Sequence, residues 1–249
     1  MSRFVNKVAI VTGSSNGIGQ AAAVLLASEG ASVTIHGRSE EGLQTTEKLI
    51  LDKGIPSERI LSVRGPIEDE KVIENLVEKT IEKFGKINVL VNNAGVVGLP
   101  GDFKSMEAYE YIHEVNIKSI VKLIQLAEPH LEKTKGNIVN RPTRVFYAMS
   151  KAALDHYMRS RTHELAKKGI RINNLNPGMV KTNILNAMGL SEDKQKMFYE
   201  QYEAKIPLGR SAEAEEMAKP IAFLASDDAS YITGVALVAD GGNAQFADV

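Results

Sequence analysis

The chain has 249 residues, 43% of them hydrophobic and 24% charged, an ordinary globular composition that one α/β domain spanning residues 1–249 can accommodate. Its 30 lysines and arginines nearly balance 31 acidic residues, so no global field draws the protein to nucleic acid or to an anionic membrane. Cysteine is absent, which excludes disulfides, thiolate metal sites and a cysteine nucleophile.

Metal binding, secretion and membrane insertion are also disfavoured. The five histidines form no short metal-ligand motif, so we expect no metal site. The first residues lack the features of a signal peptide, and the longest apolar run, Ala21 to Ala27, is too short to cross a bilayer. We therefore expect a cytoplasmic protein.

The N-terminal segment reads as a βαβ unit. Val8 to Val11 is a continuous apolar run that ends at Thr12-Gly13, which is typical of a strand buried on both faces. Gly17 to Glu29 has a helical composition that Gly30 ends, and Ala31 to Ile35 is again strand-like.

The same alternation continues to the end of the chain. We predict helices over about 40–53, 69–84, 105–132 and 147–168, and strands near 60–63, 87–91, 137–140, 170–175 and 235–239. This order predicts a single Rossmann-type α/β domain, a doubly wound parallel sheet with helices on both faces. Its ligand is expected beyond the carboxyl ends of the strands, where the chain order reverses.

The first strand-to-helix turn is rich in glycine and reads Thr12-Gly13-Ser14-Ser15-Asn16-Gly17-Ile18-Gly19. Glycines allow a tight turn and a close approach of the backbone to a pyrophosphate, and the following helix offers free N–H groups to the phosphates. The turn therefore predicts a dinucleotide site.

The spacing T-G-x-x-x-G-x-G resembles that of the short-chain dehydrogenase/reductase family. Further segments occur in the family's order, and they are Asn92-Asn93-Ala94-Gly95, Asn116, Tyr147-x-x-x-Lys151, Asn176-Pro177-Gly178 and Asp240-Gly241-Gly242. Because the ordered set covers nearly the whole chain, the protein is identified as a member of this family. The resemblance implies a homotetramer or homodimer, with the helices over 105–132 and 147–168 as candidate interfaces.

Tyr147 and Lys151 are the candidate catalytic pair. Their spacing of four places both on one face of a helix, and a cation beside a phenol lowers its pKa toward the range useful for proton transfer. The resemblance implies that Lys151 also binds the nicotinamide ribose and that Asn116 holds a water in the proton relay. The alternative, a half-buried core tyrosine, is disfavoured by the surrounding motifs.

Cofactor choice depends on the end of the second strand, which reads His36-Gly37-Arg38-Ser39. An acidic residue there would bind the ribose 2′-hydroxyl of NAD, but none is present. Arg38 instead suits a 2′-phosphate, so NADP is preferred and NAD is less favoured. The alternative is a solvated surface arginine.

The resemblance also implies which residues contact the cofactor. Thr182 corresponds to a threonine that bonds the nicotinamide carboxamide, and the backbone of Val180 makes a second contact. The complete predicted set is Gly13, Ser15, Asn16, Gly17, Ile18, Gly19, Arg38, Ile67, Asn92, Ala94, Tyr147, Lys151, Pro177, Gly178, Val180 and Thr182.

The chain departs from the family pattern in two places. Pro66 stands where relatives have an aspartate that contacts adenine, and no serine follows the fifth strand to polarise the substrate. Roughly eight residues of the family pattern are missing between Asn140 and Arg141, and Thr143 lacks the geometry to replace the serine.

Two explanations of the missing serine remain open. Either the residues are truly absent and the site is impaired, or the intact polypeptide carries a loop that this sequence lacks. The close match of both flanks favours the missing loop, because a true loss would disturb the topology around the catalytic helix.

A substrate lid is expected at about 179–210, where apolar side chains predominate. They form either a pocket for a moderately hydrophobic carbonyl compound or ordinary packing of two lid helices. The leading interpretation is an NADP(H)-dependent oxidoreductase that moves a hydride between nicotinamide and a small-molecule carbonyl or secondary alcohol. The alternative is a catalytically impaired dinucleotide-binding protein that lacks the serine loop.

Overall fold

The structure is a computed structural model that describes residues 2–99, 101–102, 105–140, 146–187 and 190–243, without the side chains of 146–148, 151, 184 and 187. Within these residues seven strands form one parallel sheet in the order β3-β2-β1-β4-β5-β6-β7. The strands are β1 (Val8–Val11), β2 (Ser32–Gly37), β3 (Ile60–Arg64), β4 (Val89–Asn92), β5 (Asn137–Asn140), β6 (Arg171–Pro177) and β7 (Ala236–Ala239). The predicted doubly wound fold is confirmed.

Helices pack on both faces of the sheet. They are α1 (Gly17–Ser28), α2 (Glu40–Leu51), α3 (Glu70–Phe84), α4 (Met106–His113), α5 (Ser119–Thr134), α6 (Phe146–Lys167), α7 (Ile184–Ala187), α8 (Glu192–Glu203) and α9 (Ala214–Ala225). Short 3-10 turns lie at Ser57–Arg59 and Asp227–Ala229. Helix α9 was not predicted, since Pro220 interrupts its helical pattern.

Two apolar clusters hold the helices to the sheet. Along β1, Ala9 and Val11 belong to the cluster under α1 and α9, whereas Ile10 belongs to the cluster under α3, α5 and α6. Because successive side chains of a strand point to opposite faces, this division explains why the strand is apolar throughout.

The stretch predicted as one long helix over 105–132 is divided. Helix α4 ends at His113, a π-helical segment follows over Glu114–Lys118, and α5 begins at Ser119. A π-helical insertion is rare and frequently marks a functional site. Asn116 lies inside it.

Candidate active site

A cleft of about 390 Å³ opens beyond the carboxyl ends of β1 and β4, where the strand order reverses. Its walls come from the turns after β1 to β4, from α4 and the π-helical segment, and from residues 182–186. The predicted cofactor residues that line it are Gly13, Ser15, Asn16, Gly17, Ile18, Arg38, Ile67, Ala94 and Thr182. The cleft occupies the position expected for a ligand of a doubly wound sheet.

The glycine turn after β1 requires its glycines. Gly13 and Gly17 adopt φ values of +65° and +56°, which favour glycine. A Cβ on Gly13 would lie 2.8 Å from the Cα of Ala94, and a Cβ on Gly19 would lie 2.3 Å from the carbonyl oxygen of Gly13. Gly19 therefore allows helix α1 to pack close to the turn rather than forming part of the cleft wall.

The N-terminus of α1 suits a phosphate. Asn16 is the N-cap residue, but its side chain makes no capping hydrogen bond to the first turn. The first helical residues, Gly17 and Ile18, line the cleft. Uncapped N–H groups and the positive end of the helix dipole form an anion site, so this turn fits the pyrophosphate of a dinucleotide.

His36 ties the glycine turn to the neighbouring strands. Its Nδ1 accepts a hydrogen bond from the Gly13 N–H at 3.3 Å, and its Nε2 lies 3.1 Å from the carbonyl oxygen of Gly65. The residue is only 2% exposed, and burial lowers the pKa of His36 to about 4, assisted by the charge of Arg38 and opposed by the Gly65 contact. A neutral imidazole therefore holds this turn at pH 7.

Asn93 and Thr12 join the first strand to the fourth. The Asn93 side-chain amide donates to the carbonyl oxygens of Thr12 and Gly13, both at 2.9 Å. The Thr12 hydroxyl accepts from the backbone N–H groups of Asn93 and Ala94 at 3.0 Å. These bonds fix Ala94 at the cleft wall opposite the glycine turn.

Arg38 and Glu68 lie at the far end of the cleft. Arg38 follows β2 and is exposed, and its Nη1 donates to the Tyr111 hydroxyl at 3.3 Å. Ile67 and Glu68, the two residues that follow Pro66, line the wall after β3. The chain thus offers a carboxylate near the place where the family aspartate is missing.

Asn116 is held by the backbone of Val96. Its side-chain oxygen accepts from the Val96 N–H and its amide donates to the Val96 carbonyl oxygen, each at 2.9 Å. The residue is 5% exposed. The paired bonds lock the π-helical segment against the loop after β4, and Val96 and Val115 from these two segments line the cleft.

Tyr147 and Lys151 lie in the first turns of α6, and their side chains are outside the described part of the structure. The helical backbone confirms that their spacing of four falls on α6. One turn further on, Asp155 accepts hydrogen bonds from the side-chain amides of Asn174 and Asn176 on β6, at 2.5 and 3.4 Å. These contacts attach α6 to the end of the sheet.

A chain of buried amides runs across the strand ends toward α6. Asn92 on β4 donates to the side chain of Asn140 on β5 at 2.9 Å, and Asn140 donates to that of Asn174 on β6 at 3.0 Å. The three residues share one register and are fully buried. Asn92 is therefore part of the sheet's interior, and its neighbour Asn93 lines the cleft instead.

The remaining predicted residues lie around the start of the lid. Thr182 lines the cleft, and its Cγ2 would be 3.1 Å from a Cβ on Gly17. Val180 is buried and bridges to Ala212. Pro177 ends β6, and Gly178 packs so closely that a Cβ there would lie 2.6 Å from the Cα of Asp240. These last three are absent from the described cleft wall.

The link between β5 and α6 contains only residues 141–145. These residues, which include Arg141 and Thr143, lie outside the described ones. The expectation that so short a link would disturb the topology is wrong, because β5 pairs with β4 and β6 in the usual order and α6 packs beside β6. The topology therefore gives no reason to prefer a missing loop over a true deletion.

Sequence reasoning missed several residues of the cleft. His36 was read only as part of a strand end, and Tyr111 as part of a helical periodicity, because neither pattern reveals which side chain reaches the ligand. Glu68 and Asn93 were detectable in principle, since each follows a predicted strand. The missed lining residues are His36, Gly37, Glu68, Asn93, Gly95, Tyr111, Val115, Asn183 and Asn186.

The described residues contain no group of three or more histidines and acids that is arranged to hold a metal ion. No helix among them is both long and apolar enough to span a membrane.

Comparisons with known proteins show the family to which the chain belongs. A family model described as enoyl-(acyl carrier protein) reductase matches residues 13–244. The chain is 36% identical to meso-2,3-butanediol dehydrogenase of Serratia marcescens, over 96% of this chain and 95% of that one. It is 35% identical to a 3-oxoacyl-[acyl-carrier-protein] reductase of Thermotoga maritima, over 96% and 98%.

A solved structure matches equally well. A Caenorhabditis elegans short-chain dehydrogenase/reductase of unknown function, crystallised with cofactor, is 39% identical, with a TM-score of 0.93 over 98% of this chain and 97% of that one. Family model, relatives and structure agree along nearly the whole length. The chain therefore belongs to the short-chain dehydrogenase/reductase family, whose members are nicotinamide-dependent oxidoreductases.

Proposed function

We propose that the protein is an NADP(H)-dependent oxidoreductase that transfers a hydride between nicotinamide and a carbonyl or secondary alcohol. The observation that carries the proposal is the cleft beyond β1 and β4, which combines a helix N-terminus that has no side-chain cap with the guanidinium of Arg38 at its far end. The first feature suits a pyrophosphate and the second a 2′-phosphate.

Arg38 supports the choice of NADP. No salt bridge in the described part of the chain involves Arg38, whereas neighbouring Arg64 is paired with Glu40 at 2.6 Å. Gly37 ends β2 where NAD-binding proteins of this fold often have an acid. A guanidinium that has no carboxylate partner among the described residues can bind a phosphate in a bidentate manner, and Arg38 is the residue we assign to it.

Residues of the chain supply the catalytic groups for proton transfer. We assign proton transfer to Tyr147, the lowering of its pKa to Lys151, and the anchoring of a relay water to Asn116. The bound nicotinamide supplies or accepts the hydride. Burial of Asn116 and its two bonds to Val96 support a fixed relay position.

The cofactor contacts follow the cleft from end to end. We assign the phosphates to the turn Gly13 to Gly19, and the adenine end to Ile67 and Arg38. The nicotinamide end is assigned to Ala94 and Thr182, with Pro177, Gly178 and Val180 shaping the chain behind Thr182. Their placement along one cleft or directly behind it supports this order.

The substrate class is a small carbonyl compound or its alcohol. The names of the relatives, a butanediol dehydrogenase and a 3-oxoacyl reductase, describe interconversion of an alcohol and a ketone. Helix α8 of the lid has no buried residue, so its side chains are half-buried or exposed and several could contact a substrate. Assembly into a homotetramer or homodimer remains a prediction, as does a cytoplasmic location.

Tyr147→Phe tests the proposal. Loss of the phenol hydroxyl should lower NADPH-dependent ketone reduction by about 10²-fold or more, with NADPH affinity nearly unchanged. Oxidation of NADPH is followed with a panel of small diketones and 3-oxo esters, and Tyr231→Phe, at a fully exposed tyrosine outside the cleft and the lid, is the control. Equal turnover by wild type and Tyr147→Phe would remove Tyr147 from the mechanism.

A second function, dinucleotide binding without turnover, is favoured by one observation. Only five residues join β5 to α6, and no serine follows the strand. In this case the wild type binds NADPH yet reduces none of the panel substrates. The intact mass decides whether the polypeptide carries extra residues, since this sequence corresponds to 27.1 kDa.

A further inference from the structure

Tyr111 connects the two walls of the cleft at its far end. The residue lies on α4, and its ring packs against the apolar cluster under α3, α5 and α6. Its hydroxyl reaches the cleft, where it accepts the hydrogen bond from Arg38 at 3.3 Å. The contact joins residues 73 positions apart and spans from the end of β2 to α4.

The position of Arg38 is fixed at both ends of the residue. Its backbone carbonyl accepts a hydrogen bond from Arg64 Nε at 3.3 Å, and its guanidinium donates to Tyr111. An exposed arginine has many rotamers, and ordering them opposes ligand binding. A guanidinium already held across the cleft loses less freedom when a phosphate binds it.

The chemical nature of the partner leaves the charge of Arg38 available. Glu40 neutralises Arg64 nearby, whereas the partner of Arg38 is a phenol. Burial, helped by Glu68, raises the pKa of Tyr111 above its ordinary value, so the phenol is uncharged at pH 7. A neutral acceptor orients the guanidinium without competing for it as a carboxylate would.

We propose that Tyr111 is a specificity-determining residue that positions Arg38 for the 2′-phosphate of NADP. The inference rests on the proposed cofactor choice and extends it to a residue on a separate element. The preference for NADP over NAD then depends on both side chains together, and Tyr111 acts through Arg38.

Tyr111→Phe tests this inference because it keeps the ring in the core and removes only the hydroxyl. We expect NADPH affinity to fall by roughly fivefold and NADH affinity to change by less than about twofold. Calorimetric titrations of the full chain with each dinucleotide measure both, independently of turnover. Tyr109→Phe on the same helix, whose ring lies 3.9 Å from that of His113, is the matched control.

A double-mutant cycle separates this inference from the cofactor proposal. In the Arg38→Ala background, Tyr111→Phe should have no further effect on NADPH affinity. If Arg38→Ala lowers NADPH selectivity but Tyr111→Phe does not, or weakens NADPH and NADH equally, the inference on Tyr111 is wrong. If Arg38→Ala leaves selectivity unchanged, the cofactor proposal itself is wrong.

Discussion

Two regions lie along the carboxyl ends of the strands, one for the cofactor and one for catalysis. They differ in how many of the family's expected residues and contacts are present. At the cofactor end, formed by the turns after β1 to β4, His36 and Asn93 tie the strands to the glycine turn. At the catalytic end, formed by β5, β6 and α6, the sequence has only residues 141–145 between β5 and α6, and no serine follows the strand. From this difference we expect dinucleotide binding and turnover to be separable properties of this chain.

Arg38→Asp challenges the cofactor end most strongly. Asp loses the charged hydrogen bonds to a 2′-phosphate, adds repulsion, and offers an acceptor to the ribose hydroxyl of NAD. The ratio of the affinities for NADP and NAD should fall several hundred-fold, which corresponds to about 3–4 kcal/mol in the difference between their binding free energies. Steady-state kinetics or titration measures the ratio, and an unchanged ratio would refute the assignment of Arg38.

His36 makes the cofactor end sensitive to acid. Its pKa of about 4 in the folded state lies below the ordinary 6.5, so the unfolded chain binds more protons between these values. The contribution of His36 to the free energy of unfolding is fully present above pH 6.5. It is lost progressively as the pH falls from 6.5 through 4, and the total loss is about 3 kcal/mol. Urea unfolding should show this slope in wild type and a flatter one in His36→Asn; equal slopes would contradict it.

Asn140→Ala tests whether a change in the catalytic region leaves the cofactor region intact. It leaves the amide of Asn92 and the side-chain oxygen of Asn174 without their partner, which should lower the free energy of unfolding by about 2 kcal/mol. NADPH affinity should stay within about twofold, because the glycine turn is held by separate bonds. A large loss of NADPH affinity in a folded Asn140→Ala variant would show that the two ends are not independent.

Glu68→Gln has the smallest expected effect. The carboxylate lines the same end of the cleft as Arg38, so it repels a 2′-phosphate across partly exposed space. Neutralising it should tighten NADPH by about twofold at low salt and by less at high salt. Weaker binding would instead show that Glu68 accepts a hydrogen bond from the adenine amino group, in place of the aspartate that Pro66 replaces.

The sequence predicts the fold well because buried parallel strands are continuous apolar runs, as at Val8–Val11, and the glycine turn marks the switch point of the sheet. The π-helical break at Glu114–Lys118 is not evident from the sequence pattern, and neither are the hydrogen bonds between Asn116, which lies in this break, and the distant Val96 backbone. Site residues can be predicted from the sequence where a motif specifies both the residue type and its spacing from the other motif residues.

Residues whose role depends on contacts with residues distant in the sequence are harder to predict. Tyr111 has the spacing of a core residue, and only the packing of α4 across the cleft shows that its hydroxyl meets Arg38. His36 sits in an apolar strand, and its two bonds to neighbouring turns are invisible in one dimension. Asn92 is the reverse case, since its place in a cofactor motif conceals a bond inside the sheet.

The most direct test of a complete cofactor end is a titration of the wild-type protein with NADPH and with NADH. We predict saturable binding of one NADPH per chain, with an affinity about tenfold or more above that for NADH, whether or not any carbonyl compound is reduced. Absence of saturable NADPH binding, or tighter binding of NADH, would contradict the account.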